Sequence, residues 1–251
     1  MYDLDEVVIH CRYASSQIVT MIEEPPKLVI KRSWNRPSPQ QIAAFENIPT
    51  GFVVDAMNGQ GSLASNIKPI LPDAFNTSIW GPALTIDTGP GDIMALLAAL
   101  DSIQEGDILV SSFAGFQGCA AIGDRVAGMV KNNHAKAFIT DGPVRDYVGM
   151  VGIGLPTWAT GINANSPVSQ GPGTVGLNIH IGGRAVSSGD MVIADLDGVV
   201  TVPFNEIDTV IKRLEHIKKL EKELDQEVHD GLKIPKSTHE LLQSSDVKYI
   251  D

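Results

Sequence analysis

Cysteine is nearly absent: Cys11 and Cys119 are the two thiols in 251 residues. Two cysteines cannot make a disulfide framework, and both are expected as free thiols in a reducing cytosol. Positive charge is also scarce, with 19 Lys and Arg against 30 Asp and Glu and a net charge of −11. No basic stripe offsets that balance, so no nucleic-acid partner is expected. A small anionic substrate is not excluded, because the field inside a site is local. No stretch of about eighteen apolar residues is present, so no membrane span is expected. The first residues include Asp3, Asp5 and Glu6 and do not read as a signal peptide, which points to a cytoplasmic protein. Asn76-Thr77-Ser78 is a glycosylation sequon only by pattern. The histidines (His10, His134, His180, His216, His229, His239) show no zinc spacing. A serine elbow of the G-x-S-x-G type, internal repeats and low-complexity tracts are all missing. The length suits one domain with extensions.

What is present is a spacing: Asp124, then twenty residues, then Arg145-Asp146. Asp107-Ile-Leu-Val-Ser111 reads as a buried strand. Val126, Met129 and Val130 recur at helical spacing, and Ala137-Phe-Ile-Thr140 reads as the next strand. A strand–helix–strand crossover makes the strands parallel and the helix antiparallel to both. The helix then begins at the edge where both strands end. Asp124 sits at that helix start and Arg145-Asp146 follow the second strand. Two carboxylates and one guanidinium are expected at one edge of the sheet, where open α/β sheets bind ligands.

Neighbouring carboxylates repel unless a positive charge lies between them, and Mg²⁺ or Mn²⁺ suits one or two carboxylates plus water. Arg145 offers a planar fork that matches a substrate carboxylate. The N–H groups of Gly123, Asp124, Arg125 and Val126 form the open start of a helix and a ready anion site. Together these groups suit a 2-oxo acid and the enolate left by C–C cleavage beside a pyruvyl group. A plainer reading stands beside this one. Asp124 is also a good helix cap, and Arg145-Asp146 is also a plausible surface ion pair.

Along the chain, residues 1–38 read as an N-terminal extension with two short apolar runs, Val7-Val8-Ile9 and Leu28-Val29-Ile30. A helix is predicted over Gln40–Ile48 and a strand over Ile79–Ile86. Asp92 reads only as the cap of a helix from Ile93 to Leu100. Short strands are predicted near Pro156–Ala159, Val175–Ile181, Met191–Ala194 and Val199–Val202, with Asp197-Gly198 as a hairpin turn. That turn explains Asp195 and Asp197 better than metal ligation does. A charged helix follows Phe204 and ends at Gly231. Its stripe of Ile207, Val210, Ile211, Leu214, Ile217, Leu220 and Leu224 is expected to pack on the body or on a partner subunit. Ser237-Thr238-His239-Glu240 resembles a capping box for a last short helix in the tail, residues 231–251.

The D-x20-R-D spacing resembles the class II pyruvate aldolases that cleave 4-hydroxy-4-methyl-2-oxoglutarate, and their relative, the regulator of ribonuclease activity A. Gly81-Pro82-Ala83-Leu84-Thr85, Gly89-Pro90-Gly91-Asp92 and Ala120-Ala121-Ile122-Gly123-Asp124 match family segments in order. So does the run from Ser188-Gly189-Asp190 to Pro203. The resemblance covers about residues 45 to 230 of the chain. It implies a three-layer swivelling β/β/α domain over residues 39–230, including the C-terminal helix, between the extension and the tail. It implies Arg145 on the pyruvyl carboxylate, Asp146 as a direct metal ligand and Asp124 as a ligand through water. It also implies the amides of residues 123–126 on substrate, and a homotrimer or homohexamer whose sites borrow acids from the neighbour. Asp55 and Glu221 are the candidates for those acids. Three positions depart from the family. Ile93 stands where Asn is usual, Leu97 where a polar residue is common, and Ser112 where the strand usually ends in Asp. The pyruvyl and metal subsite is untouched; the far end of an aldol substrate is not.

Gly171-Pro-Gly-Thr-Val-Gly176 matches G-x-G-x-x-G, but a strand follows it where a dinucleotide site needs a helix. A Schiff-base aldolase needs a buried lysine, and Lys131 and Lys136 flank polar turns. Two functions of different class remain. One is a metal-dependent lyase acting on 2-oxo acids by aldol cleavage, by oxaloacetate decarboxylation or by both. The other is a non-catalytic regulator that binds a ribonuclease or another protein. The carboxylate of Asp146 favours the lyase, because the regulator branch usually lacks one at that position.

Overall fold

The computed structural model describes residues 26–74 and 77–250. The Val7-Val8-Ile9 run, His10, Cys11 and Asn76 lie outside them. The first half of the chain runs β1 (Leu28–Ile30), α1 (Pro39–Ala43), α2 (Thr50–Ala56), β2 (Lys68–Pro69), β3 (Ile79–Asp87), α3 (Met94–Ala99), β4 (Ile108–Ser112), α4 (Asp124–Asn132) and β5 (Ala137–Thr140). The second half runs α5 (Tyr147–Ile153), β6 (Thr157–Ala159), β7 (Gly173–Val175), β8 (Ile179–Ile181), β9 (Arg184–Val186), β10 (Met191–Asp195), β11 (Gly198–Val202), α6 (Ile207–His229) and α7 (Lys236–Leu242).

The fold is mixed α/β. β3, β4, β5 and β6 lie side by side and parallel, with α3, α4 and α5 in the crossovers. β4 and β5 are buried at every residue. Continuous burial is what a parallel strand shows when both faces are covered. On one face, Leu84, Leu109 and Phe138 pack with Leu96, Ala127, Val130 and Met150 of the helices. On the other, Ala83, Ile108, Val110 and Ile139 meet Ile179, Ile181 and Val186 of the β8–β9 hairpin and Val192 and Ala194 of β10. The alternate residues Met191, Ile193, Val200 and Val202 face outward onto α2 and α6. That alternation is the two-residue period of a strand placed between two apolar layers.

β3 serves both sheets. Its first residues pair with β10 and its later ones with β4. The crossing needs Gly81: a Cβ there would overlap the carbonyl oxygen of Gly106. β1 runs parallel to β7 at the sheet edge, so the segment read as an extension contributes a strand.

Several local expectations change. The predicted helix over Gln40–Ile48 shortens to Pro39–Ala43, capped by Ser38, whose hydroxyl accepts from Gln41 N while the Gln41 side chain returns to Ser38 N. Val175–Ile181 is not one strand, because a turn at Gly176 (φ +79°) sends β7 and β8 to different sheets. Ser237 caps nothing: Pro235 precedes α7, and Ser237 lies inside it without a capping bond. The stripe on α6 is covered only in its first half. Leu220 and Leu224 are each 45% exposed, since the helix runs past the body. No helix among the described residues is long and apolar enough to cross a membrane.

Candidate functional site

The parallel strands β4 and β5 and their crossovers open a cleft of about 380 Å³. It is lined by Ile93, Ile122, Gly123, Asp124, Arg125, Val126, Arg145, Asp146 and Pro167. The two carboxylates, the guanidinium and the start of α4 therefore share one wall system, at the strand ends where the crossover geometry puts them.

Asp124 is the first residue of α4, and Gly123 before it is extended (φ −128°, ψ −177°) with no side-chain cap. Asp124 Oδ1 accepts from Arg125 N at 2.7 Å. The other first-turn amides have no acceptor within the helix. Arg145 is fixed by its backbone: its N–H donates to Ile122 O at 3.0 Å, beside the bridge between Ile122 and Val144. Asp146 then adopts a left-handed conformation (φ +59°, ψ +44°) and precedes α5. Aspartate tolerates that region better than most residues, at a cost of order 1 kcal/mol. Asp146 Oδ2 sits 3.2 Å from Arg145 Nε, and Arg145 Nη1 donates to Ser166 Oγ. Asp124 Oδ2 lies beside Gly149 of α5, and neither it nor Asp146 Oδ1 accepts a hydrogen bond among the described residues.

Two glycines make room. A Cβ on Gly123 would stand 2.5 Å from Asp146 Oδ2 and 3.1 Å from Arg145 Cγ and Nε. A Cβ on Gly149 of α5 would overlap the Asp124 carboxylate. Gly123 has an ordinary extended backbone, so Gly123→Ala acts through its contact with the Arg145–Asp146 pair. Displacing catalytic groups by about 1 Å costs on the order of a hundredfold in rate. The expected result is an unchanged melting temperature with turnover lower by about that factor, read by calorimetry and a product assay.

Asp124 and Asp146 are the residues of this wall that could hold a hard cation, which tolerates one or two carboxylates with water completing its shell. No group of three or more His, Cys, Asp or Glu stands together as a metal cage among the described residues. No lysine lines the cleft. Lys136 lies just before β5, at the opposite end of the strand, where Nζ donates to Trp80 O at 3.0 Å over the indole. Burial lowers its pKa, but it faces away from the site.

Of the three departures from the family pattern, Ile93 lines the cleft. Leu97 does not, and Ser112 turns to the other face, where its Oγ donates to His180 O at 3.0 Å. Asp55 and Glu221 lie on α2 and α6 and do not line the cleft of their own chain. A role for either at a cleft requires a neighbouring copy. Asp195 is structural: its carboxylate accepts from Thr50 N and Oγ1, both at 2.8 Å, and from Asp197 N at 2.9 Å.

The sequence reading missed Ser166, Pro167 and Asp141. Asp141 follows β5, and its carboxylate takes Phe113 N and Gly115 N, fixing the loop beside the site. Burial pushes its pKa above the ordinary range, against those two hydrogen bonds. Its folded value lies above its unfolded one. The stabilisation is thus complete below the ordinary carboxylate value and is lost as pH rises through the folded value. Asp141→Asn is expected to flatten the fall in stability as pH rises above the ordinary carboxylate value, measured by urea unfolding.

The family profile described as RraA-like, Aldolase/RraA, matches residues 50–201. The chain belongs to the Aldolase/RraA family. A Halalkalibacterium halodurans protein, provisionally named 4-hydroxy-4-methyl-2-oxoglutarate aldolase, is 31% identical to this RraA-like chain over 172 residues, 68% of this chain and 80% of that one. An uncharacterised protein from Pseudomonas syringae superposes with a TM-score of 0.70 at 22% identity, over 80% of this chain and 93% of that one. Streptomyces coelicolor RraAS2, described as an unusual member of the RNase ES inhibitor RraA family, superposes with a TM-score of 0.66 at 23% identity, over 76% and 99%. These two likenesses establish the shared RraA-like fold.

Proposed function

We propose that this RraA-like chain is a divalent-metal-dependent lyase acting on pyruvyl-type 2-oxo acids, as a 4-hydroxy-2-oxo acid aldolase, an oxaloacetate decarboxylase or both. The observation that carries the reading is the convergence of Asp124, Arg145, Asp146 and the open start of α4 on one cleft. The provisional aldolase name of the Halalkalibacterium relative points the same way. Asp146 and Asp124 would hold Mg²⁺ or Mn²⁺, which when bound supplies a Lewis acid for the keto oxygen. Arg145 gives Nε to Asp146 and Nη1 to Ser166, and its remaining N–H donors grip the substrate carboxylate. The amides of residues 123–126 face substrate oxygens and favour the negative charge that develops as the C–C bond breaks. Ile93 and Pro167 supply apolar wall on which the rest of the substrate lies.

Assembly as a trimer or hexamer is part of the proposal. Tyr147, Val148 and Val151 expose an apolar face of α5 next to the cleft, and a neighbour could cover it while lending an acid such as Asp55 or Glu221. The free thiol of Cys119 suits a reducing cytosol. The fold shared with RraAS2 favours a second reading, a non-catalytic regulator that binds a protein. A pyruvate-release assay over oxaloacetate and several 4-hydroxy-2-oxo acids, with and without Mg²⁺ or Mn²⁺, separates the two. The lyase gives metal-dependent pyruvate, and the regulator gives none.

A further inference from the structure

Asp92 does more than start a helix. It is 6% exposed, and its Oδ1 accepts from Met94 N at 2.6 Å. Its Oδ2 accepts from Gln170 N at 2.7 Å and Gly171 N at 2.9 Å, residues seventy-eight and seventy-nine positions further along the chain. On either side of it, Val168 N donates to Gly91 O and Ile93 N to Val168 O, both at 2.9 Å. One buried carboxylate and a short backbone ladder thus pin the end of the segment 163–171. Its beginning is tied down as well: Asn163 N donates to Val144 O at 2.8 Å, and Ala120 N to Asn165 O at 3.0 Å. Between these anchors Pro167 forms wall of the cleft, and Ser166 Oγ beside it accepts from Arg145 Nη1.

We propose that segment 163–171 is the positioning element of the arginine site: Ser166 orients the Arg145 guanidinium, and Asp92 holds the segment that carries Ser166. The proposal rests on the reading of Arg145 as the group that binds the substrate carboxylate. A guanidinium held only at Nε still pivots about that one contact through its side-chain torsions. A second bond at Nη1 fixes the plane, leaves the unused donors aimed one way, and slows the exchange of Nη1 with Nη2 about the Nε–Cζ bond. Pre-orientation of this kind lowers the entropy lost on binding. Ser166 and Asp92 are positioning residues, since Ser166 acts through Arg145 and Asp92 through the segment.

The experiment uses the full chain and four variants: Ser166→Ala, Ser166→Thr, Asp92→Asn and Ser166→Ala with Asp92→Asn. Steady-state kinetics on oxaloacetate with Mg²⁺ give KM and kcat. NMR of the ¹⁵N-labelled Arg145 guanidinium gives its rotation rate without needing activity. Ser166→Ala is expected to raise KM by on the order of tenfold with kcat little changed, and to speed rotation. Ser166→Thr keeps the hydroxyl and is expected to restore both. Asp92→Asn keeps one acceptor and turns an NH2 against either Met94 N or the N–H groups of Gln170 and Gly171, so it loosens the tie between the segment and α3 and moves KM the same way. The double variant should fall short of the product of the two single effects, because both act on one contact. Unchanged KM and unchanged rotation in Ser166→Ala overturn the proposal even if Asp92→Asn does not fold. If the unaltered chain releases no pyruvate, the lyase reading fails, and the rotation rates alone decide the positioning role.

Discussion

Removing the carboxylate of Asp146 is expected to abolish metal-dependent pyruvate release while the fold survives. In the proposed lyase Asp146 is the direct ligand, and no metal cage of three or more His, Cys, Asp or Glu stands among the described residues to replace it. Asp146→Asn is the cleaner probe and Asp146→Ala the harsher one. The position is left-handed (φ +59°), which asparagine tolerates and alanine resists by roughly 1–2 kcal/mol. Both variants should lose turnover, and calorimetry should also lose the Mg²⁺ or Mn²⁺ isotherm. Arg145→Lys tests the other half of the site. An ammonium cannot reproduce a fork that spans Asp146, Ser166 and a substrate carboxylate. Its cost in kcat/KM is expected on the order of 2–5 kcal/mol. Decarboxylation of oxaloacetate should be the more robust activity, because it needs no base to deprotonate a substrate hydroxyl. The lyase reading is abandoned if saturating metal yields no pyruvate from oxaloacetate and Asp146→Asn changes no metal binding.

The largest effect on stability is expected at Arg36. Its guanidinium pairs with Asp107, which is 0% exposed and also accepts from Gln104 N at 3.0 Å. Burial holds the Asp107 pKa above its ordinary range despite the arginine and the backbone donor. Arg36→Ala leaves that carboxyl buried without its cation, and breaking such a pair costs about 3–5 kcal/mol at neutral pH. The loss should shrink as pH falls through the raised Asp107 pKa, where the carboxyl protonates and the missing charge no longer matters. Exchanging both residues, Arg36→Met with Asp107→Leu, should recover much of the loss, since the penalty lies in the unpaired charge. Urea unfolding of the three proteins decides it. If Arg36→Ala unfolds like the unaltered chain, the pair is a surface contact of little weight.

Arg36 lies in the segment that composition marks as an extension, and that shows where sequence reading stops. The apolar runs at β3, β4 and β5 and the helical spacing at α4 were legible, because chain periodicity is local. With the crossover rule they sufficed to bring Asp124 and Arg145-Asp146 to one strand edge. The left-handed turn at Asp146 was not legible, since no glycine marks it and only the packing of Gly123 against it shows why it is held. Nor was the second role of Asp92. Its cap to Met94 spans two residues and is visible in sequence, whereas its bonds to Gln170 and Gly171 span seventy-eight and seventy-nine.

By itself, then, the sequence determined the parallel α/β body, the edge that bears the site and the charged residues on it. Each of these follows from spacing within a few turns of chain and from the handed geometry of a crossover. Tertiary structure alone decided that β3 is shared between two sheets and that β1 completes an edge. It also decided that Ser166 reaches Arg145 and that Arg36 neutralises Asp107. Those contacts join residues far apart in the chain. Nothing in the local pattern selects one distant partner over another until the core has closed and each buried polar group has found its match.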